Sequence, residues 1–92
     1  MPNNPHRSNL TARLAESQEH SARTSRPIVI AVDEHGMPRA WGIATTYVGA
    51  LNACRYHAHA YVAERLALYR ERVSLSLQLH TKGTVMQLHE SI

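Results

Sequence analysis

Seven histidines, one cysteine and one aspartate are the residues of this chain best suited to metal, nucleophilic or acid–base chemistry. Their spacing decides whether they can act together. His57 and His59 stand two apart in a helical segment, and such residues diverge by about 200°. They cannot grip one ion as residues four apart do. His80 and His89 fall on the polar side of an alternating segment, but its register sets them opposite Val85 and Ser76, offset along the sheet. Cys54 is the only cysteine, so no zinc set is completed and no internal disulfide forms. It lies among apolar residues, where a thiol packs as a small hydrophobe. Asp33 and Glu34 sit beside Gly36 in a run with turn composition. No phosphate-cradling glycine loop and no Gly-x-Ser-x-Gly elbow occurs. The expectation is a chain that is not an enzyme, with no metal, no cofactor and no evident small-molecule substrate.

Arginine is the other chemically pointed residue. Nine of the ten basic residues are arginine, in a chain of formal net charge +3. Guanidinium groups pair with phosphate or carboxylate through two parallel hydrogen bonds. Arg7, Arg13, Arg23 and Arg26 make residues 1–26 basic, and Arg39 follows on a strand. These five are the candidate contacts for nucleic acid or for an acidic partner. Arg55, Arg65, Arg70 and Arg72 belong to a long helix and point in several directions, and the last two suit the negative end of its dipole. No zinc-finger spacing, aromatic sheet motif or helix-turn-helix accompanies them. Nucleic-acid binding through the arginine-rich arm is therefore the alternative reading.

The elements that position these residues follow from periodicity. Residues 1–26 read as a polar arm, partly helical: Ser8 or Asn9 can cap, Leu10 and Leu14 lie one turn apart, and Glu19 and Arg23 suit an i,i+4 pair. Residues 27–92 read as a single ββαββ domain. Ile28–Val32 is rich in β-branched residues, as a well-buried strand requires. A second strand over 39–44 pairs with it through the turn, with Ile30 facing Trp41 and Ile28 facing Ile43. Val29, Ala31, Ala40 and Gly42 form a small apolar second face, so this hairpin asks for cover on both sides. Self-association is the simpler source of that cover, because two leucines in the arm are a thin supply.

Thr45 or Thr46 can cap a proline-free helix from Tyr47 to about Arg72. Its apolar stripe holds Tyr47, Leu51, Cys54, Ala58, Tyr61, Val62 and Tyr69. The opposite side holds Gly49, Ala53, Tyr56, Ala60, Ala63 and Ala67, small where a solvated face would be charged. A final hairpin alternates Val73, Leu75, Leu77 and Leu79 with polar residues. Its register aligns Leu79 with Met86, Leu77 with Leu88 and Val73 with Ile92. The fold class is α+β in the order α-ββ-α-ββ: an antiparallel sheet of two hairpins packed on one long central helix, preceded by a helical N-terminal arm.

A helix of about 26 residues is about 39 Å long, whereas strands of six to eight residues reach about 20–27 Å. Part of it should overhang the sheet and present its small face to another helix. The expected function is a small protein-interaction module whose partners include a second copy of itself. Short, motif-free chains of this build are frequent among phage and mobile-element products, anti-CRISPR inhibitors and antitoxin-like regulators among them. A binding inhibitor or regulator is accordingly expected, and a chain at +3 lacks the dense acidic surface of a DNA mimic. The start Met1-Pro2-Asn3-Asn4-Pro5 leads into no apolar signal segment, and the longest apolar run is too short for a membrane span. A cytoplasmic protein without membrane contact is expected.

Overall fold

The chain runs α1 (Pro5–Thr24), β1 (Ile28–Val32), β2 (Pro38–Ile43), α2 (Tyr47–Tyr69), β3 (Ser76–Thr81) and β4 (Thr84–Ser91). A computed structural model describes residues 5–92, with side chains from Leu10 onward. The four strands form one antiparallel sheet in the order β2-β1-β3-β4. This is the α+β class and the element order that the residue pattern dictates.

β1 is central, which explains why all five of its β-branched and alanine residues are buried. It pairs with β2 in the expected register, Ile28 opposite Ile43 and Ile30 opposite Trp41. β3 lies on its other side, with Ile28 opposite His80 and Val29 opposite Leu79. β2 and β3 therefore flank β1, run parallel to each other and are joined across it by α2.

One sheet face takes α2. Val29, Ala31 and Ala40 are buried there with Leu75 and Leu77 against Ala50, Leu51, Cys54 and Ala58 of the helix. The smallness of this face has a mechanical reason. A side chain on Gly42 would meet the Ala50 carbonyl oxygen at 2.5 Å and the Ala53 Cβ at 2.6 Å. The helix backbone rests directly on the strand, and it rolls so that Ala50 and Ala53 meet the sheet. Tyr47 and Tyr69, expected in the buried stripe, are exposed at the two ends of α2.

The other face buries Ile28, Ile30 and Val32, with Trp41, Ile43 and Leu14 of α1 packed against them. The cover that self-association was expected to supply comes from α1. Leu14 provides the apolar contact, and two serines anchor the helix. Trp41 Nε1 donates to Ser17 Oγ at 3.2 Å, and Ser21 Oγ donates to the Arg26 carbonyl. The serines compensate for the shortage of leucines.

The last hairpin keeps the expected register from His80 opposite Val85 through Gln78 opposite Gln87 and then departs from it. Beyond an irregularity at 76–78, Ser76 lies opposite Ser91, and Leu75 exchanges both backbone hydrogen bonds with Ile92 at 2.8 Å. Ile92 thus meets Leu75 and not Val73. Likewise His89 does not face Ser76. A shift of two preserves side-chain parity, so Leu88 and Ile92 still pack on the core. The extra residues bring Glu90 to Arg55, which donates to it through Nε and Nη2, both at 2.6 Å.

α2 starts as its sequence requires, with Thr46 Oγ1 accepting from the Gly49 N–H at 3.0 Å. It stops at Tyr69, short of Arg72, because Arg70 turns left-handed at φ 54°. The N–H groups of Arg70 and Glu71 then return to the carbonyls of Leu66 and Arg65, the pattern of a Schellman-type cap. An arginine in this conformation is strained where glycine is not. Arg70→Gly is expected to stabilise the fold by about 1 kcal/mol. A lower midpoint in urea unfolding would contradict that reading of the cap.

Candidate functional site

The titratable groups of the sheet's β1–β2 end are bound to one another. The buried Asp33 carboxylate accepts from the N–H groups of His35 (2.8 Å) and Met37 (3.0 Å) and from Arg39 Nε (2.9 Å). Arg39 leans over the Tyr61 ring at 5.9 Å, and Arg65 over Tyr69 at 4.3 Å. Arg65 also binds Glu71 at 2.8 Å. Asp33, Arg39, Arg65 and Glu71 line one polar cleft of about 220 Å³, each engaged by a counter-charge. This network explains Asp33 as turn chemistry that also fixes an arginine.

Cys54 is buried, and desolvation, with the Glu90 charge adding, pushes its thiol up to about 11. His57 lines a cavity at the β2 edge, whereas His59 lies on the side of Glu90, so the pair diverges around the helix as its spacing requires. Among the described residues no group of three or more His, Cys, Asp or Glu is placed to hold a metal. Nor, among them, is any helix long and apolar enough to cross a membrane.

Four groups link the fold to pH in the same direction. Burial holds His80 below its ordinary 6.5. Burial alone would raise Asp33, but the Met37 N–H, the Arg39 guanidinium and the His35 N–H outweigh it and leave the carboxyl below 3.8. The hydrogen bonds from Arg65 and Arg55 hold Glu71 and Glu90 below 4.5. A folded value below the unfolded one gives stability that is present above the unfolded value and lost as pH falls through the folded one. Stability is therefore expected to decline first below about 6.5 through His80, then further in the carboxylate range. Urea midpoints measured from about pH 7.5 to about pH 4 check this. His80→Gln should flatten the first decline, and a wild-type midpoint independent of pH would contradict the scheme.

The candidate partner-contact arginines do not form one patch. Arg7 lies outside the residues whose side chains are described. Arg23 pairs with Glu19 at 3.5 Å and Arg39 with Asp33, while Arg26 is exposed. Arg13 and Arg39 border a common cavity, beside Trp41.

The six residues of the small helix face divide in two. Gly49 and Ala53 sit at the seam with the preceding strand: a side chain on Gly49 would meet the Ala44 Cβ at 2.9 Å, and Ala53 faces Gly42. Tyr56, Ala60, Ala63 and Ala67 are exposed. The surroundings of these four matter more than the stripe itself. Burial along α2 ends at Ala58, with Tyr61 and Val62 half-buried, so the last two turns project past the packed core. Leu66, Leu68 and Tyr69 are 47%, 68% and 60% exposed there. Sequence reasoning passed over Leu68 because it falls off the core stripe. The available signal was that Ala60–Tyr69 is apolar on every side apart from Glu64 and Arg65.

No family model, no curated protein and no solved structure matches this chain.

Proposed function

We propose that this protein is a small, non-catalytic interaction module that associates with a second copy of itself through the projecting end of α2. The observation that carries the reading is the exposure of Leu66, Leu68 and Tyr69 on a helix segment that holds no buried residue. A helix that is apolar all round is a helix that something covers. A second copy suits it on three counts. The alanines at 60, 63 and 67 form a shallow face into which leucines of an identical helix fit, with close approach of the two backbones. The segment 60–69 holds one acidic and one basic residue, Glu64 and Arg65, so it is neutral and two copies do not repel. An antiparallel crossing about a two-fold axis also sets Glu64 of each copy toward Arg70 and Arg72 of the other.

The non-catalytic reading is supported by the engagement of Asp33, Glu71 and Glu90 in ion pairs and by the burial of the thiol. A cytoplasmic setting suits a chain whose one thiol is buried and reduced. Inhibition or regulation of another macromolecule by binding is the role that such a module performs. Single cysteines placed along the surface test the geometry. Ala67→Cys is expected to form an intermolecular disulfide under mild oxidation, and Thr11→Cys, on α1, is not. Equal cross-linking at both positions, or none at either, would overturn the proposed interface.

A further inference from the structure

The Trp41 ring stands between two open spaces. On one side lies a cavity of about 160 Å³ bordered by Leu10, Arg13, Arg39 and His57. On the other lies one of about 290 Å³, bordered by Leu10, Leu14, Met37, Pro38 and again Arg39. Trp41, Leu10 and Arg39 are common to both, so the two are the ends of one cleft between α1 and the edge strand β2.

The two ends differ in chemistry. The larger is apolar: leucine, methionine and proline side chains face the indole, and Met37 is about half exposed with nothing packed over it among the described residues. The smaller holds two guanidinium groups and an imidazole, and no carboxylate lines it among the described residues. Arg39 gives Nε to Asp33, and its two terminal nitrogens have no hydrogen-bond partner among those residues. Arg13 lies 6.0 Å from the centre of the Trp41 ring and makes no ion pair among them. Two guanidinium groups border one half-enclosed space beside an apolar slot: Arg13 has no ion pair among the described residues, and Arg39 is paired with Asp33 through Nε alone. The indole between them is fixed by its hydrogen bond to Ser17, so the wall is formed before any ligand arrives.

We propose that this cleft binds a small organic carboxylate with a flat apolar body. The body lies in the apolar end against Trp41, and the carboxylate lies between Arg13 and Arg39. Guanidinium groups suit a carboxylate through paired N–H donors, and the adjoining apolar walls exclude water and strengthen that attraction. Arg13 and Leu10 come from α1 while Arg39 and Trp41 come from β2. A bound ligand therefore clamps the lightly packed α1 onto the sheet, and binding appears as added stability.

Naphthalene-1-acetate is a suitable probe, with the uncharged naphthalene-1-acetamide and inorganic phosphate as comparisons. Trp41 is the only tryptophan, so its single indole N–H resonance in a two-dimensional ¹H–¹⁵N spectrum reports on the cleft without ambiguity. The carboxylate is expected to shift that resonance saturably and to raise the thermal midpoint. Binding of the amide, and of the carboxylate to Arg13→Gln, is expected to be about ten-fold weaker. Phosphate should leave the resonance in place. Met37→Glu, which puts a charge in the apolar end, should abolish binding while the far-ultraviolet circular dichroism stays unchanged. No saturable shift with the carboxylate, or equal affinity for acid and amide, or an Arg13→Gln protein that binds like the wild type, would overturn the proposal. A response to phosphate equal to that of the carboxylate would overturn the assignment of the apolar end.

Discussion

Gly42→Ala is expected to destabilise the protein by about 3 kcal/mol or more, the largest effect among its four glycines. The added Cβ would lie 2.5 Å from the Ala50 carbonyl oxygen, 2.6 Å from the Ala53 Cβ and closer still to the Cys54 backbone nitrogen. Two of these three neighbours are helix backbone, which cannot rotate away as a flexible side chain can. Relief requires α2 to lift from the sheet along its packed half. That loosens Ala50, Leu51, Cys54 and Ala58 from Ala40, Leu75 and Leu77 together. A domain of this size has a total stability of the order of 5–14 kcal/mol. The loss is therefore a large part of the whole. Gly36→Ala is the informative comparison. That site is open, with nothing within 4 Å of an added Cβ, but its φ is +78°, so it should cost only about 1 kcal/mol of backbone strain. Urea unfolding followed by circular dichroism separates the two. A Gly42→Ala protein as stable as Gly36→Ala would contradict the direct seating of α2 on β2.

The same contact shows how far the sequence was legible. Alternation and β-branching placed the hairpins, and the register of Ile28 with Ile43 and Leu79 with Met86 follows from which side chains must share a face. The small face of the first hairpin was visible as Val29, Ala31, Ala40 and Gly42. What it served was not, because close approach of two backbones leaves no residue-type signature beyond smallness. Gly49 and Ala53 were read as a surface for the same reason. The far end of the last hairpin escaped because its register is set by Arg55 reaching Glu90, two residues 35 apart that no local pattern couples. The docking of α1 escaped because hydroxyl anchors at Ser17 and Ser21 do the holding where apolar periodicity is weak. The overhang of α2, by contrast, follows from lengths alone: 23 residues of helix at about 1.5 Å each exceed strands of five to eight residues.

Leu68→Glu is expected to weaken self-association by about a hundred-fold while leaving the monomer folded. Leu68 is the most exposed leucine of the projecting segment, so a charge there stays in water in the single chain. In a two-fold interface each substitution appears twice, and both carboxylates lose water without gaining a counter-charge. Truncation of a central apolar anchor alone costs about 2 kcal/mol or more. Tyr56→Ala should act in the same direction and less strongly, since Tyr56 lies at the margin of the segment, although it is 74% exposed.

Sedimentation equilibrium of the wild-type protein beside Leu68→Glu tests the self-association directly. The wild type is expected to fit a monomer–dimer equilibrium with the dimer populated at micromolar concentrations, and Leu68→Glu is expected to sediment as a monomer over the same range. A wild-type protein that stays monomeric at the highest concentrations, or a Leu68→Glu dimer of undiminished affinity, would contradict the reading of the α2 end as the interface.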